Sequence, residues 1–115
     1  MRLYGTTTGS GLDPYLDLTV TRGSFSSASA FDACTTFTAD STDYIGAGSG
    51  VIYSGTLQGF ADGYAAGLVD PTAGSLESWT SGETHVYKLR VTVQNNASAQ
   101  AKNASQTFSW EARNS

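Results

Sequence analysis

Residues Thr84 to Asn95 read THVYKLRVTVQN, and their alternation decides the fold class. His85, Tyr87, Leu89, Val91 and Val93 fall on one side of a pleated strand, and Val86, Lys88, Arg90, Thr92 and Gln94 on the other. This is the pattern of a half-buried antiparallel strand, with charges left in water on its outer face. Its apolar face needs a second layer, so the chain is expected to be an all-β protein with two packed sheets.

The neighbouring segments support that class. Arg2 to Thr6 reads as a short strand before a Thr-Gly-Ser-Gly turn. Pro14 opens a strand from Tyr15 to Arg22 that places Leu16, Leu18 and Val20 inward, opposite Asp17, Thr19 and Thr21, and Gly23 is expected to end it. The stretch SFSSASAF reads as loop and Ala33 to Thr38 as a strand. Val51 to Leu57 also has strand character. Leu57, Phe60, Ala61, Tyr64, Ala65 and Leu68 recur at spacings of three and four, which predicts one short helix from about Thr56 to Leu68, weakened by Gly59, Gly63 and Gly67. From Val69 to Glu83 the chain is a connection with turn signals at Asp70-Pro71 and Ser81-Gly82, anchored by Leu76 and Trp79. Gln106 to Arg113 alternates Phe108, Trp110 and Ala112 with polar residues and is expected to form a hairpin with the 84–95 strand. Leu89, Val91, Val93, Phe108 and Trp110 would then be core. Leu89→Ala should cost about 2–5 kcal/mol as a buried truncation, while Lys88 and Arg90 stand in water.

Length and composition bound the rest. A chain of 115 residues makes one domain, which buries about 65% of the surface its unfolded chain would expose. Hydrophobic residues at 39% and aromatics at 11%, with only 14% charged, place it outside the disordered class. The net charge is −4, and Arg2, Arg22, Lys88, Arg90, Lys102 and Arg113 are scattered, so there is no concentrated basic footprint for nucleic acid. No run of about 18 apolar residues exists to span a membrane. No repeat stands out, which argues against a solenoid.

No catalytic, cofactor-binding or metal site is expected. His85 is the sole histidine and has no companion histidine or cysteine, so it reads as a packed or rim residue. No G-x-S-x-G elbow or defensible Ser/His/Asp set is present. Asp40 and Asp43, with Asp32 nearby, are candidate calcium ligands, but their spacing is not that of a helix-loop-helix calcium loop and they read as solvated loop carboxylates. Asn96-Ala97-Ser98 and Asn103-Ala104-Ser105 are formal glycosylation acceptors. Tyr44, Tyr53, Tyr64, Trp79 and Trp110 would serve a carbohydrate platform, although packing accounts for them more simply. Cys34 is the only cysteine and can form no intrachain disulfide.

The C-terminal half carries a resemblance. The order YSGTLQGFADGYAAGL (53–68), then SWTSGETHVYKLRVTVQNNASAQAKNASQTFSWEARN (78–114), resembles the closing part of the TasA/camelysin family of exported bacterial surface proteins, most of all its actinobacterial members. The shared features are Trp79 ahead of Gly82-Glu83, the aromatic-centred strand Val86-Tyr87-Lys88-Leu89, the loop Ala99-Gln100-Ala101, and the ending Trp110 to Ala112. RLYGTTTGSGLDPYLDLTVTRG (2–23) resembles the middle of such proteins. Ala101 stands where the family usually has Gly.

The resemblance implies a jelly-roll-like antiparallel β-sandwich, secreted from a longer precursor whose signal peptide and first strand or strands are absent here. It also implies an extracellular or cell-surface location and, for some members, biofilm-matrix fibres built by donor-strand complementation. The camelysin branch is described as proteolytic, but no H-E-x-x-H is present to carry that activity. The expected function is therefore a non-enzymatic structural subunit that self-associates or receives a strand from another subunit, and the alternative is an adhesin or carbohydrate-binding module. A domain lacking a strand is further expected to leave a gap between strands with unpaired backbone groups.

Overall fold

A computed structural model describes residues 1–26, 34–73 and 77–113. Strands run in the order β1 (Arg2–Tyr4), β2 (Thr7–Gly9), β3 (Leu16–Phe25), β4 (Phe37–Ala39), β5 (Val51–Thr56), β6 (Leu68–Val69), β7 (Val86–Val93), β8 (Ala104–Gln106) and β9 (Ser109–Glu111). All pairings are antiparallel. The architecture is an all-β sandwich, as the alternation predicts.

The larger sheet is organised by β3, a ten-residue strand with partners on both sides. One side takes β7 along its whole length, with Leu16 opposite Val93, Leu18 opposite Val91, Val20 opposite Leu89 and Arg22 opposite Tyr87. The other side takes β5 and then β4. Between Val20 and Thr21 the register shifts, so Ile52 is an extra residue on β5. This bulge lets Ile52 join the core cluster with Leu3, Leu16, Leu18, Val20, Leu57 and Phe60. The smaller sheet has the order β6-β1-β9, with Leu68 and Trp110 flanking Leu3 and thus sharing its inward face. The β2–β8 ribbon continues the β1–β9 pairing beyond a break at Gly5, where a side chain would run into the Thr107 carbonyl.

Four expectations need correction. β3 does not stop at Gly23 but pairs on to Phe25; a Cβ at Gly23 would sit 2.6 Å from the Phe37 ring, so glycine is what admits β4. The helix expected over 56–68 is absent. Instead β5 runs to Thr56, a single 3-10 turn covers Tyr64–Ala66, and β6 follows. Three glycines at helix-interior cost are not offset, because Leu57 and Phe60 reach the core without a helix. The 84–95 and 106–113 segments are not a hairpin, since β7 pairs with β3 and β9 with β1. Leu76, residues 27–31 of SFSSASAF and Ala33 lie outside the described residues; the strand expected from 33 to 38 begins only at Phe37, since 34–36 lead into it through a turn.

The fourth correction is the most consequential. Leu89, Val91 and Val93 do face the inner side with Leu18 and Val20, yet they are 36%, 48% and 60% exposed. Phe108 and Trp110 are also partly exposed. Both are drawn toward the core, with Phe108 edge-on to Phe60 at 5.9 Å and Trp110 against Tyr87 at 4.7 Å. The strands of the smaller sheet are only two or three residues long, too short to cover the rest of β7. On the outer face Arg90 is in water, but Lys88 is half-buried with its ammonium 5.0 Å from the Phe37 ring centre.

Candidate functional site

Two features lie along the inner face of β7, one apolar and one charged. The apolar one is the uncovered row Leu89, Val91, Val93, which begins where Trp110 ends over Tyr87. Among the described residues β7 pairs only with β3 and β9 only with β1, so each has one open edge. Among the described residues β3 and β1 are both paired on two sides, so no gap lies between neighbouring strands of either sheet. The gap expected between strands is therefore replaced by open edges beside an uncovered apolar face.

The charged feature sits at the other end of the row. Asp70, 1% exposed, follows β6 and is held in an Asx turn by Thr72, whose amide and hydroxyl donate to its Oδ1 at 2.8 and 2.6 Å. Its Oδ2 accepts from Arg22 Nε at 3.0 Å and from the Tyr87 hydroxyl. These donors are the cross-strand pair Arg22 and Tyr87, both continuing the inward parity of their strands. Arg22 Nη1 also pairs with Asp40, to which the Tyr44 hydroxyl donates at 2.8 Å, and Nη2 donates to Thr72 Oγ1 at 3.2 Å.

His85, with its side chain 4% exposed, completes the group: Nδ1 lies 2.7 Å from Asp70 Oδ2 and Nε2 lies 2.5 Å from Glu83 Oε1. Trp79 covers the imidazole at a ring separation of 4.1 Å. Glu83 is fixed from its other oxygen by the Thr80 amide at 2.7 Å.

The electrostatics follow from these contacts. Burial opposes charge on Asp70, but donors from Thr72, Tyr87 and Arg22 outweigh it and hold its carboxyl well below the usual carboxylate range. Burial, reinforced by donation to Asp70, pushes the Tyr87 hydroxyl far above its ordinary value, so it stays a donor and is no base or nucleophile. Desolvation also opposes charge on Asp40, and the hydrogen bonds of Tyr44 and Arg22 reverse that effect. The group joins β3, β7, the 40–44 loop, the 70–72 turn and the 79–85 connection by opposite charges that satisfy one another.

The expected site residues are distributed as follows. Asp40 is not a solvated loop carboxylate, because Arg22 draws it into the cluster, and Asp43 instead accepts the Gly46 amide at 2.7 Å. Asp32 lies outside the described residues. Among the described residues no set of three or more His, Cys, Asp or Glu is placed to hold a metal ion. The five aromatics do not form one platform. Tyr44 serves Asp40, Tyr53 packs edge-on to Phe60, Tyr64 lies under Arg2 and Arg113, Trp79 covers His85 and Trp110 meets Tyr87. Cys34 is exposed at positive φ.

Asp70 is the residue that sequence reasoning missed as a site member. Asp-Pro-Thr signals a turn, but only the return of the chain across β3 and β7 buries it. Arg22 and Tyr87 carried a usable signal, since both fall on the apolar parity of strong strands. No family model matches this chain, and no significant match is found among curated proteins or solved structures. No helix among the described residues is long and apolar enough to cross a membrane.

Proposed function

We propose that this chain is a non-enzymatic structural subunit of an extracellular fibre or surface coat, of the TasA/camelysin-like kind, and that it assembles by strand addition. One observation carries the reading: Leu89, Val91 and Val93 lie on the same sheet face as the buried Leu16, Leu18 and Val20 but have no covering layer. This row sits on an edge strand with no proline and no bulge in its pairing to β3, and the strand's charges, Lys88 and Arg90, lie on the opposite face. The open edge of β9 lies at the end of the row, through Trp110. The occupant is a strand from a second subunit, paired with that edge and packing alternate apolar side chains on Leu89, Val91 and Val93.

The test is sedimentation velocity over a concentration series. The chain should self-associate, and Val91→Lys should leave it monomeric with the melting temperature that the unsubstituted chain shows at dilution, where it too is monomeric. A chain that stays monomeric throughout, or association indifferent to Val91→Lys, defeats the reading.

A further inference from the structure

The charged cluster contains one atom with two incompatible partners. His85 Nδ1 lies 2.7 Å from Asp70 Oδ2, which can only accept, and 3.1 Å from Arg22 Nη2, which can only donate. Nε2 lies 2.5 Å from Glu83 Oε1, a carboxylate oxygen that can only accept, so a bond there requires the proton on Nε2. A protonated Nδ1 donates to Asp70; a bare Nδ1 accepts from Arg22.

We propose that His85 is a proton-operated switch, whose imidazolium ties the 79–85 connection to Glu83 and Asp70 at once and whose neutral ring transfers Nδ1 to Arg22. This goes beyond the assembly reading and does not depend on it.

The surroundings make both positions tenable. The groups facing the ring are Arg22 and, beside it, Tyr87 from the larger sheet, Asp70 and Thr72 from the turn after β6, and Glu83 and Trp79 from the connection itself. Asp40 and Tyr44 reach it only through Arg22. Arg22 loses little when the ring is protonated, because Nε stays on Asp70, Nη1 on Asp40 and Nη2 on Thr72. Asp70 likewise keeps Tyr87, Thr72 and Arg22 Nε when the ring is neutral. Glu83 is held below its ordinary value by the Thr80 amide and by His85, and Asp70 by its own donors, so both carboxylates stay charged while the imidazole changes state. In the protonated form the connection is held through Glu83 and Asp70 and in the neutral form through Glu83 and Arg22, so deprotonation exchanges one long-range charge-assisted partner for another.

The experiment uses the full chain labelled with nitrogen-15, in which His85 gives the only imidazole signals. Ring-nitrogen shifts, Arg22 side-chain signals and the protection factor of the Thr80 amide are followed from about pH 5 to about pH 8. At the acid end both ring nitrogens should carry protons. At the alkaline end Nε2 should keep its proton while Nδ1 shows an acceptor shift, with Arg22 moving at the same midpoint and Thr80 protection staying level, because its bond to Glu83 is common to both states. His85→Gln should abolish the Arg22 response. Glu83→Gln, at a partly exposed side chain, should leave the Arg22 response in place while the fold persists, because the amide oxygen still accepts from Nε2. A neutral ring protonated at Nδ1, or Arg22 signals that stay flat through the titration, overturns the proposal.

Discussion

The same face of one sheet behaves in two ways. On β3 the row Leu16, Leu18, Val20 is buried, whereas its cross-strand partners on β7, Val93, Val91 and Leu89, stand from 60% to 36% exposed. Residue type does not separate them, since both rows are Leu and Val. What separates them is the opposite layer: Leu3, Leu57 and Phe60 close over β3, and the short β9 reaches only as far as Tyr87. Within β7 itself, the Tyr87 end is fixed by the buried Asp70 cluster, and the Val93 end by backbone pairing to β3 and by the neighbouring Gln94, whose side chain donates to Asp17 and Pro14. Alternation therefore establishes which way a side chain points, and topology establishes whether anything meets it.

The largest expected effect breaks the fixed end of β7. Asp70→Ala leaves Arg22 and the surrounding donors without their central acceptor and should cost about 3–5 kcal/mol in denaturant melts. Acid should reach the same contacts. The carboxyls of Asp70 and Asp40 are depressed in the folded state, so their stabilisation is complete above the ordinary carboxylate range and is lost as pH falls through the folded values. Melting temperature should hold down to about pH 4 and drop below it, and Asp70→Asn should flatten that acid limb. A limb of equal steepness in the variant would remove Asp70 as its source.

Next in size is the covered row. Leu18→Ala, at a fully buried site, should cost about 3 kcal/mol. Its neighbour across the ladder, Val91, sharpens the contrast: Val91→Thr should change monomer stability by about 0.5 kcal/mol or less. Leu89→Ala falls between them at about 1 kcal/mol, since part of its side chain is already in water. Equal costs at Leu18 and Val91 in matched melts would mean that the two rows share one environment.

These contrasts also mark what was legible in the sequence. Local alternation assigned β3 and β7, their inward parities and the all-β class, because the pleat has a period of two whatever lies beyond it. The 56–68 helix failed because spacings of three and four also arise when a loop lays Leu57 and Phe60 on a core, and the three glycines favoured the loop. The β7–β9 hairpin failed because proximity in sequence was taken for pairing, while β1 and β3, brought back from the start of the chain, are the actual partners. The cluster was half legible. Arg22, His85 and Tyr87 share the inward parity, but Asp70 and Asp40 arrive on connections whose paths no periodicity encodes.

The most direct test of strand addition is methyl and amide NMR of the chain across its self-association. The account predicts that the methyl signals of Leu89, Val91 and Val93 shift and the Ser109–Glu111 amides gain protection as the subunits associate, while the methyls of Leu18 and Val20 stay where they were. Association that leaves the β7 methyls and the β9 amides unchanged would contradict it.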